Sequence, residues 1–208
     1  MLMELLEPKK LDFAETFKDA LTIGVKNAPS IIAAVALWLV TIWIPYLNVG
    51  TTIAITMLPT ELAKGSVINP LGIFDGKYRR CMGEFLLATG LQTIGIYAAM
   101  IFLFFPGIVL ALSWSLAYYY LLEKGKNPVD ALRASNEATY GSKWMMFGIN
   151  AVFAIAASIV SGIVMGICGA IGIGFVTFVA MLGLVILIAS IAMAIKASFW
   201  RQLKDNAA

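Results

Sequence analysis

The chain of 208 residues contains no histidine and only two cysteines. Without histidine, catalytic triads, imidazole general bases and histidine-ligated zinc centres are excluded. Cys81 and Cys168 form no Cys-x-x-Cys motif. We expect them near opposite membrane faces, which excludes a disulfide within one chain. We therefore expect no catalytic residue, no cofactor and no metal ion.

Charge is also scarce, because only 13% of the residues are charged while 61% are hydrophobic. A soluble domain carries about 25% charged and about 45–50% apolar residues. This balance excludes a soluble enzyme, and a net charge of +3 is too small to indicate nucleic-acid binding. The composition predicts a single integral-membrane domain that spans residues 1–208.

Long apolar runs account for most of the chain, and each approaches the roughly 20 residues of a membrane span. The predicted spans cover residues 29–46, 47–64, 83–105, 107–123, 143–167 and 171–196. We divide the first two near Pro45, since one helix over 31–62 would run roughly 48 Å through a hydrocarbon core of about 30 Å. A re-entrant segment or a kinked single span remains the alternative for 47–64.

The distribution of basic residues predicts the topology. Of the 15 lysines and arginines, 12 lie before the first predicted span, after the last, or in two of the five connections between spans, and the other three are span-end residues that adjoin these segments. Because basic residues mark cytoplasmic segments, both termini are predicted to be cytoplasmic. The fold class is then an all-α bundle of about six transmembrane helices in three hairpins, with amphipathic cytoplasmic segments.

This topology divides the chain into three parts. Residues 1–28 form a cytoplasmic amphipathic segment, 29–196 the six-helix bundle and 197–208 a cytoplasmic tail. Within 11–26, helical spacing places Phe13, Phe17, Ala20, Leu21 and Gly24 on one apolar face. That face suits either the membrane surface or the protein's own spans.

Aromatic residues and Asn-Pro pairs provide local signals. Tyr and Trp favour membrane interfaces, so we predict two aromatic belts. The cytoplasmic belt would contain Tyr118, Tyr119, Tyr120, Tyr140, Trp144 and Trp200, and the outer belt Trp43, Tyr46, Phe104 and Phe105. Asn69-Pro70 and Asn127-Pro128 each predict a helix start, because Asn caps a helix and Pro suits its first turn.

Few polar side chains lie inside the predicted spans. Gln92, Ser113, Ser115 and Asn150 are candidates for one intramembrane polar patch. Such a patch would indicate a pathway for a solute or a lipid headgroup. Hydrogen bonds between helices are the alternative explanation.

Small residues recur every four positions along the fifth predicted span. They are Ala154, Ser158, Gly162, Gly166 and Ala170. A face of this kind permits close helix approach. The sixth span or a second copy of the chain could be the partner, and we favour packing within one chain.

The order of motifs between residues 62 and 144 resembles a family of prokaryotic six-span membrane proteins of largely unknown function. The most specific part is Pro106-Gly107-Ile108 followed by Ala111-Leu112-Ser113. The family is similar to the membrane domain fused to some glycerophosphodiester phosphodiesterases. The resemblance implies a multi-pass protein of the prokaryotic plasma (inner) membrane. It supplies no catalytic residue, because the phosphodiesterase is a separate soluble domain.

Two hypotheses of function follow. The first is a non-catalytic integral membrane protein that binds membrane lipids or a cytoplasmic partner protein at its cytoplasmic face. The alternative is a small channel or transporter, a possible homo-oligomer, for an unidentified solute or ion.

Overall fold

The computed structural model describes residues 9–171 and 174–207, which form helices and connecting turns without a strand. Two helices open the described chain, and a 3₁₀ helix, Pro70–Phe74, follows them. In chain order the α-helices are α1 Phe13–Thr41, α2 Pro45–Ala63, α3 Gly76–Arg80, α4 Met82–Phe102, α5 Phe104–Ser113, α6 Ala117–Leu122, α7 Pro128–Ala138, α8 Lys143–Ile171 and α9 Gly174–Leu203.

Five segments of the described chain are long and apolar enough to cross a membrane, which is the composition of a multi-pass membrane protein. They are Phe13–Thr41, Met82–Phe102, Phe104–Leu122, Lys143–Ala170 and Gly174–Leu203. Helix α2 is not among them. Its sequence includes Thr51, Thr56 and Thr60, whose hydroxyls donate to carbonyls of the preceding helical turn, and much of one side is buried inside the protein.

Helix α1 joins two parts that we predicted to be separate. It runs unbroken from the amphipathic segment through the first predicted span, with Pro29 inside it. The Asp12 side chain caps its start by accepting a hydrogen bond from the Glu15 N–H at 2.6 Å. Part of the predicted apolar face packs within the described chain, since Ala20 and Gly24 are buried, whereas Phe13 and Leu21 of the same face are exposed.

The long apolar run that contains the end of α1 and all of α2 is interrupted by a turn at residues 42–44, slightly before the predicted turn. Pro45 occupies the first turn of α2, where its missing N–H leaves no bond unmade. The Trp38 indole N–H donates to Thr52 Oγ1 at 2.9 Å. The buried hydroxyls of Thr41 and Thr51 lie 2.7 Å apart. These bonds hold α1 and α2 together as an antiparallel pair.

Helix α9 packs along α1 in the opposite direction, and the closest approach is at Gly24. A Cβ atom on Gly24 would lie 3.0 Å from the Ile191 Cα and 3.3 Å from the Ser190 carbonyl oxygen. Ala20 on α1 and Ala194 on α9 are fully buried near this contact. Small residues therefore bring these two backbones together.

Polar groups fix the start of α1 to the end of α9. The buried Gln202 accepts the Asp12 N–H at 2.8 Å, and its amide donates to Thr16 Oγ1 and Ser198 Oγ at 3.1 and 2.9 Å. Arg201 forms an ion pair with Glu15 at 2.9 Å. The predicted tail at 197–208 begins inside α9, because this helix continues to Leu203 and its last turns, with Phe199 and Trp200, pack in the core.

The largest buried cluster lies where α1 begins and α9 ends. Trp200 is at its centre, 1% exposed, with its ring against Tyr119 and Tyr120 at centroid distances of 5.5 and 4.9 Å. The Trp200 indole N–H donates to the Glu123 carboxylate at 3.0 Å. These three aromatic residues are core residues, so their assignment to an interfacial belt was wrong.

Helices α4 and α5 form a tight hairpin whose position contradicts the predicted topology. A Cβ atom on Gly95 would lie 2.6 Å from the Trp114 ring, so the two helices pack directly. The predicted topology places Phe105 and Trp144 on opposite membrane faces. Their ring centroids are 6.4 Å apart, so the start of α5 lies beside the start of α8.

Candidate functional site

The apolar segment 104–122 is broken in the middle, and α7 stabilises the break. Helix α5 ends at Ser113 and α6 begins at Ala117. The buried Ser135 hydroxyl of α7 donates to the Ser113 carbonyl at 2.6 Å and accepts the Leu116 N–H at 3.1 Å. Backbone groups freed by a break in an apolar region need such partners. Because the segment is not one straight helix, α5 can lie against α8.

The residues of the predicted polar patch do not form one site. The Ser113 and Ser115 hydroxyls donate to carbonyls of their own helical turns. Asn150 is exposed on α8, and its amide donates to the Met146 carbonyl of the same helix. Gln92 is buried, and its amide nitrogen has no hydrogen-bond partner in the described part of the chain. Among the described residues, no hydrogen bond joins any two of the four, so they outline no path through one copy.

The predicted packing face on α8 has no partner within the described residues. Its five members, Ala154, Ser158, Gly162, Gly166 and Ala170, are all exposed. A Cβ atom on Gly162 or Gly166 would meet nothing within 4 Å. The prediction that this face packs within one chain was therefore wrong. The close helix contact lies at Gly24 instead.

An apolar groove runs between α5 and the start of α8. Its volume is about 360 Å³, within the range of about 300–1,000 Å³ found for ligand pockets. One wall is the α5 face and the other combines the α7–α8 turn with the first turn of α8. The lining residues are Phe104, Phe105, Ile108, Val109, Leu112, Tyr140, Gly141, Lys143, Trp144 and Phe147.

Among the residues that the structure describes, Lys143 is the one charged residue that lines this groove. Its ammonium group donates to the neutral Asn136 Oδ1 at 2.8 Å. Both residues also line a more open cavity that adjoins the groove on the Ser113 side of α5. Ion pairs found among the described residues involve other lysines and arginines, so Lys143 has a hydrogen bond but no carboxylate partner there.

The turn that carries Lys143 is held by both ends of the described chain. Gly141 has a φ of 78°, a left-handed conformation that glycine adopts without strain. The Ser142 hydroxyl accepts the Leu11 N–H at 3.2 Å. The Asn206 amide donates to the Lys9 and Ala138 carbonyls. The groove wall formed by the α7–α8 turn is therefore hydrogen-bonded to residues at both ends of the described chain.

A second group of polar residues surrounds Glu61, which forms ion pairs with Lys64 and Lys77 at 3.0 and 4.0 Å. These residues line a cavity of about 280 Å³ beside Tyr78. Burial raises the pKa of the Tyr78 phenol above its ordinary value. The described residues contain no cluster of carboxylates and thiols suited to a metal ion. Lys77 also forms an ion pair with Asp75 at 3.7 Å. The two lysines and two carboxylates therefore neutralise one another, which indicates a structural role.

Sequence reasoning missed the groove, although it used some of its residues for other purposes. Lys143 was used to predict the topology, and Phe104, Phe105 and Trp144 were assigned to interfacial belts. Phe105, Lys143 and Trp144 were also landmarks of the family resemblance. One available signal was the Lys143-Trp144 pair beside Gly141 at a helix start. Comparison of the chain with family models, curated proteins and solved structures gave no match.

Proposed function

We propose that this chain is a non-catalytic integral membrane protein that binds a membrane lipid in the groove between α5 and α8. The observation that carries the proposal is an apolar cavity with one cation beside it, at the start of an apolar helix. An acyl chain suits the Phe and Leu walls, and burial contributes about 0.8 kcal/mol for each methylene. A lipid is always available to a groove that faces the bilayer.

The proposed location is the prokaryotic plasma (inner) membrane, with both termini on the cytoplasmic side. Two observations support this orientation. The basic residues cluster in few segments, and the Lys9 N–H donates to Asn206 Oδ1 at 2.9 Å, so both ends of the described chain lie together. The resemblance to six-span prokaryotic membrane proteins favours the same compartment.

We expect Val109→Trp to displace the lipid, because an indole at this α5 position fills the space between α5 and Lys143. Exclusion of about three methylenes weakens binding by about 2.4 kcal/mol, which is more than tenfold in affinity. Native mass spectrometry of the protein released from gentle detergent measures the retained lipid.

The matched control is Ile155→Trp, since Ile155 is 61% exposed on α8 and lies outside the groove. This variant should retain lipid as the wild-type protein does. Equal lipid retention by Val109→Trp and the wild-type protein would contradict binding in the groove. Loss of folding is monitored separately by size-exclusion chromatography.

The channel or transporter alternative receives less support from the geometry. Asn150 faces outward and Gln92 is enclosed, so a path would have to form between copies. Sealed liposomes that contain the protein should therefore show no solute or ion flux above protein-free liposomes. A flux that Gln92→Ala abolishes would favour transport instead.

A further inference from the structure

The charge of the groove indicates which lipid class it binds. Lys143 brings a positive charge to a cavity whose other lining residues are uncharged. Its ammonium lies 2.8 Å from Asn136 Oδ1, and the described residues supply no carboxylate at ion-pair distance. A cation next to apolar surface is stabilised when an anion joins it.

We propose that the groove selects an anionic phospholipid, with one acyl chain along α5 and the headgroup phosphate against the Lys143 ammonium. This inference rests on the proposed lipid binding and adds the headgroup charge to it. Asn136 is a positioning residue in this arrangement, because its carbonyl oxygen accepts a hydrogen bond from the ammonium and so orients it.

The location of Lys143 fits a headgroup contact. It is the first residue of α8, and the apolar segment that can cross a membrane begins there. Phospholipid phosphates occupy the polar layer next to the hydrocarbon core, so a cation at a helix end meets them while the groove beyond it meets an acyl chain. Trp144 and Tyr140 flank the site and are 70% and 74% exposed, as expected for side chains at this depth.

The test compares two lipids with the same acyl chains, phosphatidylglycerol and phosphatidylcholine, offered in equal amounts to delipidated full-length protein. Native mass spectrometry measures the ratio of the two bound lipids. We expect about a tenfold preference for phosphatidylglycerol in the wild-type protein, because the choline cation of phosphatidylcholine neutralises its own phosphate and is repelled by the Lys143 ammonium. Lys143→Gln should reduce the ratio to about one.

Two further variants keep the test decisive. Lys124→Gln removes the same charge from an exposed residue outside the groove and should retain the preference. Lys143→Arg keeps the charge and should also retain it, which covers the case in which Lys143→Gln does not fold. An excess of inorganic phosphate should not displace the bound phospholipid, because it offers no acyl chain.

The outcomes separate the two proposals. Equal binding of both lipids by the wild-type protein would overturn the anionic selection and leave lipid binding intact. An undiminished preference in folded Lys143→Gln would overturn the role of Lys143. Absence of any retained lipid on the wild-type protein would overturn both proposals.

Discussion

Replacement of Trp200 by alanine should lower the free energy of unfolding by about 3–5 kcal/mol, the range for a large aromatic residue removed from a core. Trp200 is 1% exposed and its ring contacts Tyr119 and Tyr120. Its removal leaves a cavity where α6 meets α9. Chemical unfolding in detergent, followed by circular dichroism, measures the change.

Two control variants separate burial from residue type and from the hydrogen bond. Trp43→Ala removes a tryptophan that is 88% exposed, and stability should stay the same. Trp200→Phe keeps most of the ring but loses the N–H that donates to Glu123, which should cost about 1–1.5 kcal/mol. Equal effects of Trp200→Ala and Trp43→Ala would mean that Trp200 lies at the surface, as the interfacial-belt prediction has it.

Replacement of Gly24 by leucine should lower the free energy of unfolding by about 3 kcal/mol, the upper end of values for an overpacked core. A side chain at residue 24 would meet the backbone of α9, because a Cβ atom there would lie 3.0 Å from the Ile191 Cα. Helix α1 must therefore shift away from α9. Gly24→Ala should show a smaller loss, which the same unfolding measurement detects.

The matched control is Gly162→Leu, because Gly162 also lies inside a long apolar helix but has nothing within 4 Å of its Cβ position. Stability should be unchanged or raised by up to about 1 kcal/mol, since leucine is the better helix former. A large loss at Gly162 with none at Gly24 would restore the original prediction that the small face of α8 packs within the chain.

Local signals in the sequence predicted much of the helical architecture. Composition predicted a membrane protein, because 61% hydrophobic residues is well above the share in soluble domains, and apolar runs of about 20 residues predicted that it is all-helical. The Asn caps at Asn69 and Asn127 were predicted correctly, since each side chain accepts an N–H of the helix it precedes. Such signals act over a few residues and need no knowledge of the fold.

Contacts between distant residues were harder to predict, because one pattern fits several partners. Ala20 and Gly24 are four residues apart, as are Ser190, Ala194 and Ser198 on α9. These spacings match the one found along α8, yet Gly24 packs against the α9 backbone, whereas a Cβ atom on Gly162 or Gly166 would meet no described residue within 4 Å. Helical spacing shows that a helix can approach another, but it does not show which one.

The groove was not predictable from hydropathy, because it depends on the break between α5 and α6. Hydropathy predicts one continuous span over 107–123. With that span, Phe105 just before it and Trp144 at the start of α8 would lie on opposite membrane faces. Ser135, from a different helix, stabilises the break through two buried hydrogen bonds. A polar side chain that caps a distant segment leaves no periodic pattern in the sequence.

The contact between α5 and α8 is the claim on which the groove and its lipid depend, and a cross-link tests it most directly. Phe105→Cys and Trp144→Cys are combined in a chain whose native thiols are removed by Cys81→Ser and Cys168→Ala. Ring centroids 6.4 Å apart predict rapid cross-linking within one chain by a short bifunctional thiol reagent in native membranes. The pair Trp43→Cys with Trp144→Cys, at opposite ends of the bundle, should not react. Failure of the first pair to cross-link, as expected if a hydrocarbon core of about 30 Å separated the two residues, would contradict the groove.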